Sequence, residues 1–107
     1  MHELGKILWT ITALDDLKKI IKYIKKDSIE RAENIFNKIK IKTLNLSNMP
    51  LEGRIVPELR EYKIETYREL IEPPWRIIYK IEDRKVFILS VIDGRRNVED
   101  ILIDRFL

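Results

Sequence analysis

The stretch that decides the fold covers residues 67–96 and reads YRELIEPPWRIIYKIEDRKVFILSVIDGRR. Three apolar runs in it are separated by two short turn signals, Pro73-Pro74 and Glu82-Asp83-Arg84. Proline cannot donate a hydrogen bond to a sheet ladder, so the proline pair marks a turn rather than the interior of a strand. Strands joined by connections this short are antiparallel neighbours. The stretch therefore predicts a strand meander, and the arginine pair Arg95-Arg96 follows its last strand.

The residues before this meander have the spacing of two amphipathic helices. Apolar residues recur at helical intervals over about residues 12–26 and again over about residues 27–47. We place the first N-cap at Thr12, in the pattern Thr12-x-x-Asp15, and the second at Asp27, in the pattern Asp27-x-x-Glu30. Two amphipathic helices joined by so short a turn form an antiparallel hairpin, and their apolar faces need the sheet as a partner.

Shorter segments complete the order of the elements. Alternation over residues 5–12 predicts a first strand, residues 54–59 (RIVPEL) predict a short or edge strand, and Asn97 is placed to cap a last helix. The predicted order is β-α-α-β-β-β-β-α in one domain, residues 1–107. The predicted fold class is α+β, with an antiparallel sheet of about four to five strands packed against an N-terminal helical hairpin and with a short C-terminal helix.

Composition limits the chemistry that this chain can perform. There are no cysteines, and the single histidine is His2, so neither a disulfide framework nor a Cys–His nucleophile is expected. We expect no metal and no cofactor. No apolar run approaches the ~20 residues of a membrane-spanning helix, and no signal peptide is visible, so we expect a cytoplasmic protein without a membrane partner. The net charge of +3 permits attraction to nucleic acid without requiring it.

Arginines within or beside the predicted sheet are the candidate functional residues. Arg76 lies in an otherwise apolar strand, and two interpretations of it stay open: it pairs with Glu69 or Glu58 on a solvated face, or it converges with Arg96 on an anionic ligand. Guanidinium groups are planar and permanently charged, which suits phosphate oxygens. The candidate residues for binding a target or a phosphate are Arg54, Arg68, Arg76, Arg95, Arg96 and the aromatic Tyr67.

The same residues give the chain a resemblance to a known group of proteins. Over nearly its whole length it resembles the RelE/ParE superfamily of toxins from type II toxin–antitoxin modules. The resemblance lies in the ordered set Trp9, Ala13-x-x-Asp16-Leu17, Gly53-Arg54, Val56-Pro57-Glu58-Leu59, Tyr67-Arg68-Glu69-Leu70, Arg76-Ile77-Ile78-Tyr79 and Gly94-Arg95-Arg96. It implies a growth-inhibiting toxin, a cognate antitoxin as its partner, and a hetero-oligomeric toxin–antitoxin complex.

The branches of this superfamily differ in their targets. RelE-like members cleave mRNA on the ribosome, and in that pattern Arg76 and Arg96 would be catalytic. Glu58 falls near the place of a glutamate base that another nuclease branch uses. The positions at which the RelE pattern wants two lysines and a tyrosine for proton transfer hold Tyr67, Glu69 and Leu102.

ParE-like members are similar in fold but block DNA gyrase. The arginines of the nuclease pattern are present in this chain, whereas its proton-transfer residues are missing. Because proton transfer typically supplies about 10²–10⁴-fold of such catalysis, the resemblance favours a ParE-like toxin that inhibits gyrase. The alternatives are a RelE-like ribosome-dependent mRNA endoribonuclease and an inactive toxin-like binding module.

Overall fold

The sheet and the helices that cover it are defined over residues 6–107, the part of the chain that the computed structural model describes. The strands are β1 (Lys6–Trp9), β2 (Arg54–Ile55), β3 (Tyr67–Glu72), β4 (Trp75–Glu82) and β5 (Lys85–Asp93). The helices are α1 (Ile11–Lys25), α2 (Ile29–Leu44), α3 (Pro57–Arg60) and α4 (Val98–Phe106), and a 3-10 turn, Asn45–Ser47, follows α2. The terminal His2 lies outside the described residues.

The meander predicted from residues 67–96 forms the centre of a five-stranded sheet with the order β1-β5-β4-β3-β2. Strands β2 to β5 are antiparallel neighbours, whereas β1 runs parallel to β5 at one edge. The proline pair connects β3 to β4. Asp83 and Arg84 connect β4 to β5 with φ angles of 51° and 62°, as a tight hairpin turn requires. The predicted α+β fold class is confirmed.

The first helix begins earlier than predicted, because Thr10 both ends the strand and caps the helix. Its backbone N–H donates to Ile88 O at 3.0 Å, which continues the pairing of β1 with β5. Its hydroxyl accepts the Ala13 N–H at 3.2 Å, which satisfies one of the donors that a helix start leaves open. The predicted cap at Thr12 is therefore wrong, and so is the predicted extension of the first strand to that residue.

The second helix is also capped by a different residue from the predicted one. The Ser28 hydroxyl accepts the Arg31 N–H at 3.0 Å, so Ser28, and not Asp27, is the N-cap of α2. Serine and aspartate both suit an N-cap. Ser28 takes this position because it directly precedes the first helical residue, so its side chain reaches the N–H of the third, Arg31. The predicted end of the helical segment near residue 47 agrees with the 3-10 turn that follows α2.

The segment predicted as a short strand over residues 54–59 divides into two elements. Only Arg54–Ile55 forms a strand, paired with β3, and Pro57–Arg60 forms the helical turn α3. Proline at the first position of a helix is favourable, because no N–H is needed there and its φ angle already suits a helix. This turn brings Glu58 over the sheet, where a strand would have carried it away along the edge.

Two apolar cores lie on the two faces of the sheet. The helical hairpin covers one face, as predicted, and the core there includes Leu17, Ile24, Ile39, Ile77, Tyr79, Val86 and Ile88. Helices α3 and α4 cover the other face, and the second core consists of Val56, Leu59, Ile78, Ile92, Val98 and Leu102. Within residues 6–107, none of the helices has the length and apolar character that crossing a membrane would require.

Candidate functional site

A cluster of charged side chains lies on the sheet face that α3 and α4 cover. Strand β3 supplies Glu69, β4 supplies Arg76 from the diagonal position, and β2 supplies Arg54 directly opposite Glu69. Helix α3 adds Glu58 from above. The Arg76 Nε donates to Glu69 Oε1 at 2.7 Å, and the Arg54 Nε donates to Glu69 Oε2 at 2.7 Å. One buried carboxylate on β3 thus binds two arginines, one from each of the strands that flank β3.

The Arg76 guanidinium is almost fully engaged within this cluster. Its NH1 and NH2 groups donate to the two Glu58 oxygens at 2.7 and 2.6 Å, and NH2 also donates to Glu69 Oε2 at 3.1 Å. Only 11% of the Arg76 side chain and none of the Glu69 side chain is exposed. The hydrogen bonds that Arg76 donates to Glu58, and then those it donates to Glu69, raise the pKa of Arg76 above its ordinary value, against the opposing effect of burial. Arg76 therefore acts in this fold as a brace between two carboxylates.

Glu58 is poorly suited to accept a proton in this arrangement. Both of its oxygens accept hydrogen bonds from Arg76. These bonds lower the pKa of Glu58 below its ordinary value of 4.5, against the opposing effect of burial. A general base for neutral pH needs a pKa near the operating pH. Of the two interpretations of Arg76, the structure shows pairing, with both Glu58 and Glu69. The expected solvated face is wrong, because α3 and α4 cover it and only 11% of the Arg76 side chain is exposed.

The other arginines and the aromatic residue near this cluster are also held by local contacts. Arg54 keeps 60% of its side chain exposed while it pairs with Glu69. The Arg68 NH1 group donates to the Gly53 carbonyl oxygen at 2.8 Å. Tyr67 packs its ring against Phe106 of α4, with the ring centroids 4.8 Å apart. Of these residues, Arg54 presents the most charge to a ligand.

The two arginines that follow β5 lie at the end of the sheet and make different contacts. Arg95 binds Asp93 through two side-chain hydrogen bonds, Nε to Oδ1 at 3.0 Å and NH2 to Oδ2 at 2.9 Å. These bonds hold the pKa of Asp93 below its ordinary value of 3.8. Arg96 is exposed and lines a groove formed with α1, the start of α2 and the β3–β4 turn.

The structure does not bring Arg76 and Arg96 together in one pocket, as the second interpretation expected. Arg76 points from β4 toward Glu58 on α3, whereas Arg96 lies beyond the end of β5 beside the helical hairpin. The reason is strand alternation, which places Arg76 on the face opposite to the hairpin. Arg96 follows the turn at Gly94 and is free of that alternation. The two guanidinium groups therefore belong to different surfaces.

Sequence reasoning missed a second charged contact, which joins the first and last helices. Asp16 of α1 accepts the Val91 N–H at 2.9 Å, just beyond the place where β1 ends. Arg105 of α4 donates to both Asp16 oxygens, at 2.7 and 3.1 Å, and to the Ser90 hydroxyl at 2.9 Å. Nothing in the local spacing indicates this pair, because 89 residues separate its members.

A metal site would need several His, Cys, Asp or Glu side chains close together. Across residues 6–107, no group of three or more His, Cys, Asp or Glu side chains is placed to hold a metal ion. The two carboxylates of the cluster, Glu58 and Glu69, are bridged by the Arg76 guanidinium. A cation in that place would have to displace an arginine that both carboxylates already bind.

Comparison of the sequence with known protein families shows which family the chain belongs to. The model of the family described as ParE toxin of type II toxin–antitoxin system, parDE, matches residues 7–98. The chain belongs to this ParE toxin family. It is a ParE-like toxin of the type II toxin–antitoxin class, and the expected membership of the RelE/ParE superfamily is confirmed, including the favoured ParE-like branch.

Two further relatives agree with the ParE family. The chain is 25% identical over 100 residues to Toxin ParE3 from Caulobacter vibrioides, and the match covers 89% of this chain and 92% of that protein. A chain of the chromosomal ParDE TA system from P. aeruginosa has the same fold, with a TM-score of 0.69 and 20% sequence identity. That match covers 87% of this chain and 98% of the other.

Replacing Glu58 with glutamine in this ParE toxin should remove an acid-sensitive part of its stability. Because Arg76 lowers the pKa of Glu58 in the folded state, the unfolded state binds the proton more tightly. The ion pair therefore stabilises the protein above about pH 4.5, and the stabilisation is lost as the pH falls through the lowered folded pKa. We expect Glu58→Gln to cost about 1 kcal/mol near neutral pH, since solvent partly screens the pair, and nearly nothing in strong acid.

Urea unfolding at a series of pH values measures this difference. Glu61→Gln is the matched control, because it removes an exposed carboxylate at the end of the same helical turn. A cost of Glu58→Gln that stayed constant from neutral pH down to about pH 3 would contradict the assigned linkage.

Proposed function

We propose that this toxin inhibits DNA gyrase by binding it and performs no nuclease chemistry of its own. The state of Arg76 carries the proposal. In the nuclease pattern this position stabilises charge at the cleavage site, but here at least four of the five guanidinium N–H groups already bind carboxylates. Releasing them for an RNA phosphate would leave the fully buried Glu69 carboxylate with only the more exposed Arg54 as a cationic partner.

The residues at the positions that the nuclease pattern uses for proton transfer support the same proposal. Glu58, the candidate base, has a lowered pKa because of Arg76. The nuclease pattern has two lysines and a tyrosine where this chain has Tyr67, Glu69 and Leu102. Here the Tyr67 ring packs on Phe106, Glu69 is buried, and Leu102 belongs to the second core. Stabilisation of a binding interface needs none of these proton transfers.

We also propose that a cognate antitoxin neutralises this toxin in a hetero-oligomeric complex. Membership of a family defined by type II toxin–antitoxin systems supports this proposal. The helical hairpin carries large apolar side chains that remain partly exposed: Leu14 at 40%, Phe36 at 41% and Leu44 at 51%. Exposed apolar groups of this size concentrated on one face indicate a surface that a partner covers. Gyrase as the target would place the toxin in the cytoplasm.

A supercoiling assay with purified toxin and gyrase tests the proposal. We expect dose-dependent inhibition of supercoiling, together with intact transcripts when mRNA 5′ ends are mapped after expression in a host. Relaxation by a type I topoisomerase is the control for effects on DNA alone. Cleavage within translated codons with supercoiling unaffected would instead favour the ribosome-dependent endoribonuclease.

A further inference from the structure

The groove beside Arg96 is lined by both cationic and apolar side chains, and the gyrase proposal assigns no role to it. It lies between the second half of α1, the start of α2 and the turns at the end of the sheet, and its volume is about 540 Å³. We propose that this groove binds a peptide segment of a partner protein in which acidic side chains flank a large apolar one. We call it the cationic groove. The proposal does not depend on gyrase being the target.

Positive charge exceeds negative charge along the cationic groove. Its cations are Lys19, Arg31, Arg95 and Arg96, and its carboxylates are Asp27 and Asp93. Arg95 and Asp93 neutralise each other through their paired hydrogen bonds. None of the ion pairs found within residues 6–107 involves the other three cations. These three cations therefore remain available to acidic side chains of a partner.

The floor and rim of the cationic groove offer apolar contact next to that charge. Trp75 and Ile24 are buried beneath it, at 7% and 5% exposure, and Ile20 is partly buried. Tyr23 stands at the rim with 69% of its surface exposed. Tyrosine, tryptophan and arginine are the residues most enriched at the energetic centres of protein interfaces. An apolar side chain placed between Tyr23 and Ile20 would remove this surface from water.

A peptide fits these features better than a nucleic acid does. A phosphate backbone carries charge at every nucleotide, so it would bring phosphates close to Asp27 as well as to the cations. A peptide can place its acidic side chains on Arg31 and Arg96 and leave a neutral residue beside Asp27. The apolar floor also suits a leucine-sized side chain, which a sugar–phosphate chain does not provide.

Fluorescence anisotropy with the full chain tests the proposal directly. The probe is a labelled peptide of about ten residues that alternates glutamate and leucine, and the control probe has glutamine in place of glutamate. We expect the acidic peptide to bind about ten-fold more tightly than the control peptide at low salt, and we expect the difference to shrink in ~0.5 M salt because exposed charges are screened.

Reversing the charge of two groove residues tests whether the peptide binds in the cationic groove. The double variant Arg31→Glu and Arg96→Glu should weaken binding of the acidic peptide about ten-fold or more. Folding should be retained, because both side chains are exposed and a glutamate in the first turn of α2 suits the helix dipole. The double variant Lys38→Glu and Lys40→Glu is the matched control, since it reverses the same number of charges on exposed residues of α2 outside the groove. Tyr23→Ala should weaken binding without changing the salt dependence.

Two outcomes would overturn the proposal. Equal binding of the acidic peptide to the native chain and to the double variant would show that another surface holds it. Tighter binding of a single-stranded oligonucleotide with the same number of charges, lost in the double variant, would make the cationic groove a nucleic-acid site instead. Either outcome can be observed whether or not the toxin inhibits gyrase in the supercoiling assay. The groove proposal and the gyrase proposal are therefore tested independently.

Discussion

Replacing Arg76 with methionine should lower the free energy of unfolding by about 3 kcal/mol, the low end of the cost of breaking a buried ion pair from one side. Methionine keeps the apolar stem of the side chain and removes the guanidinium. The Glu69 carboxylate, which is fully buried, would then keep only the exposed Arg54 as a partner, and Glu58 would lose both of its hydrogen bonds from Arg76. Urea unfolding followed by circular dichroism measures the change.

Arg54→Met is the control for this prediction, because Arg54 binds the same Glu69 carboxylate from a side chain that is 60% exposed. Exposed ion pairs contribute only about 0.2–1 kcal/mol, so its cost should fall in that range. If the two substitutions destabilised the protein equally, the burial of the Arg76 contact could not be the source of its effect, and its role as an internal brace would have to be abandoned.

Replacing Gly53 with alanine should cost about 2–3 kcal/mol, because there is no space for a methyl group at this position. A Cβ on Gly53 would lie 2.6 Å from the Glu69 carbonyl oxygen and 2.7 Å from the ring and hydroxyl of Tyr79. Tyr79 cannot move away easily, since it is fully buried and its hydroxyl donates to Pro50 O at 2.7 Å while it accepts the Gly53 N–H at 3.0 Å. The free energy of unfolding, again from urea denaturation, checks this prediction.

The matched comparison is Gly94→Ala, at the exposed turn after β5. A Cβ there would also meet a carbonyl, Pro74 O at 2.8 Å, but its other neighbours are the Arg76 stem carbons at 3.4 and 3.5 Å. A surface turn can shift by a few tenths of an ångström at lower cost, so the loss should be smaller than at Gly53. Neither glycine has a positive φ angle, so conformational freedom does not explain either effect. A Gly53→Ala variant as stable as the native chain would contradict the close packing around Tyr79.

Local patterns were enough to predict most of the fold. Strand alternation and turn residues depend on neighbours in sequence, which is why the meander and its two turns were predicted correctly. Strand alternation puts Glu69 on the same side of β3 as Tyr67 and Ile71. The sequence did not indicate that this side would be buried, because the cover comes from α3 and α4.

The candidate site was predicted less completely, for a physical reason that Glu58 illustrates. A strand prediction over residues 54–59 carries Glu58 along the sheet edge, whereas the turn begun by Pro57 brings its carboxylate onto Arg76. The cationic groove combines Lys19 of α1 and Arg31 of α2 with Arg96, which follows Arg31 by 65 residues. Contacts of this range depend on the complete fold and leave no periodic signal.

The contact of Asp16 with Arg105 has a practical consequence for handling the protein. Arg105 lies in the last turn of α4, and its ion pair with Asp16 connects α4 to α1 across the edge of β5. A purification tag fused immediately behind α4 would lie beside this ion pair. Reduced potency of such a fusion would then report on the attachment of α4 rather than on the surface that contacts the target.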